Sequence, residues 1–308
     1  MNTIQEKETS LKGIVALTVC ATIWGSAFVG QAIGAKYADP LTFNWARSVL
    51  ATIFLVALFY IIEIYNGRNF KLLGTEDVKK KSQLIKGGVL SGLMLTSASF
   101  WQQLGIMQTS VGKAGFITAL YIVLVPLFAY FIFKRKITKL QIFSVGLAML
   151  AMYFISITEE FSIALGDFYV LLCAFFFAFM ILSVDYYGTG VDGIRLSMVM
   201  FATCTVLNAI LMFIFETPNF SLLIEGWAPI LYVGVMSSGV AYTLQIIGQQ
   251  YCSSLLACML MSLESVFALI FGWLILGQVM STREIFGCTL LMVAILLAQL
   301  PSKNTGRF

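Results

Sequence analysis

The chain has 308 residues, of which 59% are hydrophobic and only 11% charged, with a mean hydropathy of +0.91, whereas soluble domains hold roughly 45 to 50% apolar residues. That composition excludes an ordinary soluble domain, and the lack of long period-two alternation argues against an outer-membrane barrel, which leaves a polytopic helical membrane protein. The net charge of +4 does not imply nucleic acid, because the basic residues sit in short loops where membrane orientation accounts for them.

Apolar runs predict ten transmembrane spans, at about 12–34, 41–64, 84–107, 111–134, 138–157, 166–187, 194–215, 227–250, 253–277 and 283–301. The first contains Trp24 and Gly25 and lacks a small-x-small cleavage pattern, so it is expected to be retained as a helix. Arg47 lies within the second span, about six residues or 9 Å from its outer end. The third and eighth spans are the most polar, with Trp101, Gln102 and Gln103 in one and Tyr242, Thr243 and Gln245 in the other. Gly30-x-x-x-Gly34 and Gly88-x-x-x-Gly92 suit close helix approach, and Pro126 predicts a kink in the fourth span. The ninth span is apolar except near its middle, where Glu264 falls close to the bilayer midplane. An acid there costs about 2.5 to 3.5 kcal/mol on insertion scales and is expected to face a bundle interior or a water-filled path.

The loops are short apart from residues 65–84, which carry Lys79, Lys80 and Lys81, and none accommodates a soluble domain. With a cytoplasmic amino terminus, nearly all loop Lys and Arg residues fall on that side, and only Lys36, Lys113 and Arg283 on the other. Both ends are therefore expected to be cytoplasmic in a multi-pass protein of the plasma membrane, in a bacterium the inner membrane. The six cysteines lie in or beside apolar runs without a CxxC and read as buried or lipid-facing thiols. No histidine is present, and Gly112-Lys113 lacks the glycine spacing of a Walker loop, so neither a metal nor a bound cofactor is implied and direct use of ATP is not expected.

Sliding the chain on itself by 143 residues pairs Ala98-x-x-x-Gln102-x-x-Gly105 with Ala241-x-x-x-Gln245-x-x-Gly248, then Ser110 with Ser253, Ala114 with Ala257, Leu120 with Leu263 and Phe128 with Phe271. At an offset of 153, Cys20-Ala21 meets Cys173-Ala174. The spans therefore read as two five-span units, 12–157 and 166–301. Because five is odd, the second unit must enter from the opposite side, which gives an inverted repeat around a midplane site.

Candidate site residues follow from this arrangement. Gln102 and Gln245 occupy matching positions and suit the walls of one cavity, with interhelical hydrogen bonding as the plainer alternative. Arg47 either snorkels to the outer headgroups or stands as a fixed cation for an anionic group. The repeat sets Tyr121 opposite Glu264, so the phenol could share a hydrogen bond with the acid. Glu264 itself is a structural hydrogen-bond donor, a partner of Arg47 or a proton carrier.

Ala21-Thr22-Ile23-Trp24-Gly25-Ser26-Ala27-Phe28 resembles the first-span pattern of the drug/metabolite transporter superfamily, EamA-type branch. Gly112 to Tyr121, Ser262 to Ala268, Gly272-Trp273 and Leu276-Gly277 resemble its fourth-span and ninth-span stretches. The resemblance covers nearly the whole chain as two tandem units. It implies ten helices, an inverted five-plus-five repeat, a central cavity from the first four helices of each unit, and secondary transport, often export, of small metabolites. Members often carry Pro after the ninth-span acid and Glu after the following Leu-Gly, where this chain has Ser265 and Gln278.

The function expected is a secondary active transporter, an exporter of small metabolites, amino-acid-like solutes or drugs by alternating access. The cavity residues assigned to it are Trp24, Arg47, Trp101, Gln102, Tyr121, Tyr242, Gln245 and Glu264. A membrane-embedded enzyme acting on a lipid or isoprenoid is disfavoured because no metal cluster or Ser/His arrangement lies at membrane depth. A receptor or assembly subunit would need an extramembrane domain that no loop supplies. Expected partners are a small solute, with protons as a candidate coupling ion, membrane lipid, and a homodimer as a candidate assembly.

Overall fold

A chain this apolar satisfies its backbone N–H and C=O groups inside a membrane by coiling into helices. The computed structural model of the chain describes residues 10–67, 77–109, 111–135, 137–156, 164–276 and 281–300. In chain order the elements are α1 (Leu11–Gly34), α2 (Pro40–Tyr65), α3 (Val78–Ile106), α4 (Val111–Thr118), α5 (Tyr121–Phe133), α6 (Lys139–Ser156), α7 (Leu165–Tyr187), α8 (Gly193–Phe215), α9 (Phe220–Glu225), α10 (Trp227–Tyr232), a π-helical stretch (Val233–Ala241), α11 (Tyr242–Tyr251), α12 (Ser254–Met261), α13 (Glu264–Leu276) and α14 (Thr282–Gln299). No strand occurs among the described residues. Several residues singled out above lie outside them: Ser110, Gly277, Gln278, both chain ends and much of the 65–84 loop.

Among the described residues, seven stretches are long and apolar enough to cross a membrane: Leu11–Gly34, Pro40–Tyr65, Ala114–Phe133, Leu165–Tyr187, Gly193–Phe215, Trp227–Tyr251 and Ser254–Phe271. The protein is therefore a multi-pass helical membrane protein. Length and apolarity alone do not carry the count of ten. The third expected span lies in α3, which is long but opens on Lys79, Lys80 and Lys81, and the fifth is a shorter apolar helix, Lys139–Ile155.

Local chemistry sets the helix starts. Asp77 accepts from the backbone N–H groups of Lys79 and Lys80, Asp192 from that of Arg195 at 2.9 Å, and Ser253 from that of Leu256 at 3.3 Å. The start of α2, with Pro40 in its first turn, is capped from a distance. Glu216, at the end of α8, accepts from the backbone N–H groups of Leu41 and Thr42 and from the Thr42 hydroxyl, each at 2.8 Å.

Helix pairings come in matched sets. α3 packs along α7, and α1 packs along α10, the π stretch and α11; α3 also meets α8, as the π stretch meets α2; α2 packs on α8 and α6 on α14. The same offsets recur in atomic detail. A side chain at Gly248 would run into Leu17 and the Gly13 carbonyl, and one at Gly105 would run into Val170 and the Gly166 carbonyl. Gly13 and Leu17 stand 153 residues before Gly166 and Val170, and Gly105 stands 143 before Gly248. Both close crossings need a bare backbone, so glycine at these positions sets how near the helices come. The Gly88 and Gly92 pair does the same where α3 meets Val199, Met200 and Thr203 of α8.

Two long helices are interrupted at equivalent places. The chain breaks between α4 and α5 at Ala119-Leu120 and between α12 and α13 at Ser262-Leu263. Three-residue turns bridge both breaks, with Ile122 N–H bonding to the Ala119 carbonyl at 2.9 Å and Ser265 N–H to the Ser262 carbonyl at 3.2 Å. The first interruption falls ahead of Pro126, which lies inside α5. The second occurs without any proline.

Candidate functional site: a central cavity lined by matched residues

Each break delivers one polar side chain to the middle of the bundle. Tyr121 is the first residue of α5 and Glu264 the first of α13. Both line a central cavity that is partly open, with about 450 Å³ of atom-free space including the solvent at its mouth. Trp24, Arg47, Gln102, Tyr242 and Gln245 line it too, so seven of the eight residues expected from the sequence converge there. The exception is Trp101, which is not among the lining residues. Its ring stacks on Tyr169 of α7 with centroids 5.4 Å apart and meets Phe100 edge-on at 5.0 Å. Gln102 and Trp101 are neighbours on a helix, about 100° apart around its axis, so only one of them faces the cavity.

The lining repeats across the two halves of the chain. Gln102 and Gln245, Thr118 and Met261, and Tyr121 and Glu264 are separated by 143 residues, and Trp24 and Phe177, and Phe28 and Ile181, by 153. Chemistry breaks the symmetry. One half supplies Trp24, Thr118 and Tyr121 where the other supplies Phe177, Met261 and Glu264, so the cavity has an acid on only one side of the repeat.

Arg47 is 4% exposed and does not snorkel to the headgroups. Its Nε donates to Ser238 Oγ at 2.9 Å and its Nη1 to Gln31 Oε1 at 3.2 Å. No carboxylate pairs with it among the described residues. Glu264 is likewise 4% exposed, and no hydrogen bond or ion pair holds it among the described residues. The anticipated hydrogen bond to the Tyr121 phenol is not made, since that hydroxyl has no partner among the described residues. The carboxyl instead sits at the first turn of α13, where the positive end of the helix dipole suits an anion.

The opposite wall depends on the π-helical stretch, whose wider turns suit functional positions. Trp24 Nε1 donates to the Ser237 carbonyl within it at 3.3 Å, and the Trp24 ring packs edge-on against Tyr242 at 4.8 Å. Ser26 and Tyr232 share a hydrogen bond just beyond. Gln245 Nε2 donates to Gln249 Oε1 at 3.3 Å, and Gln249 donates in turn to the Ile181 carbonyl at 3.2 Å. Thr118 Oγ1, Tyr121 Oη and Gln245 Oε1 line the cavity region without a hydrogen-bond partner among the described residues. Each such buried group costs about 1 to 3 kcal/mol until something bonds to it.

Sequence reasoning did not assign Phe28, Gln31, Thr118, Phe177, Met180, Ile181, Ser237 or Met261 to the lining. The 153-residue offset applied to Trp24 points directly at Phe177. Gln31 and Met180 carry no comparable signal, because nothing in their local pattern distinguishes them from packing residues.

A helical bundle with broken helices around a central cavity suits a membrane transporter. The chain belongs to the EamA-like transporter family, whose description matches residues 11–157 and 164–300. It is similar to an uncharacterized transporter of Archaeoglobus fulgidus, with 28% identity over 286 residues that cover 93% of this chain and 85% of that protein. A solved crystal structure of a protein shares the fold, with a TM-score of 0.72 at 14% identity, covering 93% of this chain and 96% of that one.

Proposed function

We propose that the protein moves a small solute across the plasma membrane by alternating access through the central cavity, as a secondary active exporter. The observation that carries this reading is Arg47. It is a buried cation, oriented by Ser238 and Gln31, with no carboxylate against it among the described residues. A buried charge is costly unless paired, so a site of this kind favours a ligand that brings the anion. Glu264, also without a partner among the described residues, suits an ammonium group or a proton. The aromatic and methionine surfaces of Trp24, Tyr242, Phe177 and Met180 suit an apolar body. The favoured solute is neutral, zwitterionic or singly anionic, with an amino-acid-like molecule fitting all three features, and multiply phosphorylated sugars fit poorly.

The reading includes ten spans in two inverted units, 12–157 and 166–301, with both ends cytoplasmic. The matched helix pairings, paired helix breaks and loop charges support it. Uptake of a panel of labelled metabolites into inside-out vesicles tests it. Accumulation of a carboxylate-bearing solute that Arg47→Gln abolishes, at unchanged protein level, is the expected result, and no accumulation of any member would overturn it.

A further inference from the structure

Arg135 lies just beyond the end of α5, outside the cavity, and joins three elements. Its Nη2 pairs with Asp185 Oδ2 of α7 at 2.7 Å, and its Nη1 donates to Ser254 Oγ at the start of α12 at 3.0 Å. Asp185 is 2% exposed and Ser254 is also buried. The guanidinium lies over Phe133, 5.3 Å from its centroid, and Phe133 stacks on Tyr186 at 5.6 Å. This junction is at the end of the molecule where Ser10 N–H bonds to the Tyr251 carbonyl, and every residue from Ser254 to Leu263 is buried there.

Among the described residues the opposite end shows no equivalent junction. By the repeat offsets the counterparts of Asp185 and Ser254 are Ala32 and Val111, and that of Arg135 is Gln278, which lies outside the described residues. No ion pair can form from those three residue types. The helix pair at that end, α4 with α13, also packs less extensively than α5 with α12, and a Cβ at Gly115 would first meet Ser265 Oγ at 4.0 Å. The two ends do not differ everywhere. Glu63 pairs with Arg195 at 3.7 Å at one end, and its counterpart Glu216 holds Thr42, the counterpart of Arg195, at the other. Among the described residues the α2–α8 seam is thus fastened at both ends, whereas the α5–α7–α12 junction is fastened at one.

We propose that Arg135, bridging Asp185 and Ser254, is a one-sided latch that keeps the α5–α12 end of the cavity shut and biases the resting protein toward opening at the α4–α13 end. The proposal rests on the alternating-access reading above. Closing one end is favoured by an ion pair that closing the other cannot make, so the two states of an otherwise symmetric cycle are unequal in energy. A solute helps break the pair only if it binds the unlatched state more tightly than the latched one; without that difference the latched state accumulates.

The test uses the full-length protein in vesicles with Cys258 as its single cysteine, one helical turn from Ser254. Alkylation by a membrane-impermeant maleimide from the Arg135 face is timed. Arg135→Gln with Asp185→Asn leaves no uncompensated charge, and is expected to label roughly five- to tenfold faster than the parent. Arg135→Asp with Asp185→Arg restores a pair and should return toward the parental rate. Ser254→Ala, which keeps the ion pair, should fall between and serves if the double variant does not fold. Parental labelling rates in both the double variant and Ser254→Ala would overturn the latch. Faster labelling in vesicles that transport no solute would retain the latch and remove the transport reading instead.

Discussion

Thr52 of α2 and Thr205 of α8 stand 153 residues apart and hydrogen-bond to each other through their hydroxyls at 3.1 Å. That separation is the repeat offset, so each residue is the other's counterpart and the bond marks the pseudo-twofold axis where the two halves meet. With Glu216 on Thr42 at one end and Glu63 on Arg195 at the other, the α2–α8 seam is tied at its middle and both ends.

This seam should stay fixed during the transport cycle. The Thr52→Cys, Thr205→Cys double variant, in a background without other cysteines, is expected to form a disulfide under mild oxidant, because the two side-chain tips already approach within bonding reach. Transport should survive the cross-link. Loss of transport on oxidation with recovery on reduction would mean that the seam slides.

Gly25 lets α1 lie against the first turn of α13. A Cβ there would stand 2.7 Å from the Glu264 carbonyl and 2.8 Å from the Ala268 nitrogen. Gly25→Val should destabilise the protein by about 1 to 3 kcal/mol through overpacking, or displace Glu264 if the helices separate. Thermal unfolding of the purified protein in detergent checks the first outcome, and an unchanged melting temperature with full transport would contradict the close fit.

Arg47→Lys retains a charge but cannot hold Ser238 and Gln31 together with a ligand, because the planar fork is lost. Loss of charge-assisted hydrogen bonds worth about 1.5 to 3 kcal/mol predicts solute affinity lower by roughly tenfold to a hundredfold. Equilibrium binding to detergent-solubilised protein measures it. An affinity within twofold of the parent would leave Arg47 as a packing residue only.

Glu264→Gln keeps size and hydrogen bonding while removing titration. If the acid carries the coupling proton, gradient-driven accumulation should collapse while protein level and solute affinity survive. Accumulation near that of the parent would assign Glu264 a structural role.

Both chain ends are expected to face the cytoplasm, from the loop charges and an even number of spans. Reporter fusions at Met1 and Phe308 check this, and opposite locations for the two would exclude an even number of crossings.

The sequence made much of this architecture legible because the apolar runs and polar repeats are separate signals. Gln102 and Gln245 stood out at matching positions, and both reach the cavity. Glu264 stood out because a charge in an apolar run is rare. Trp101 misled, since helical phase decides which of two adjacent polar-tipped residues points inward, and an apolar environment on every side erases the amphipathic pattern that would reveal that phase. The breaks at Ala119-Leu120 and Ser262-Leu263 were not equally legible. The first lies ahead of Pro126, whose kink the sequence announces, whereas the second has no proline or glycine to announce it.

The pairing of α1 bears on how the protein is made. Its main partners are the π stretch and α10 to α13, all synthesised after residue 226, whereas α7 packs chiefly on α3, α4 and α5 of the first half. The helix α1 is therefore made long before the surface it finally covers, and Gly13 and Gly25 lack their partners until then. Each half lends its leading helix to the other. A severed amino-terminal half would lack the main contacts of α1, and the two halves expressed as separate chains should assemble only when they are present in the membrane together.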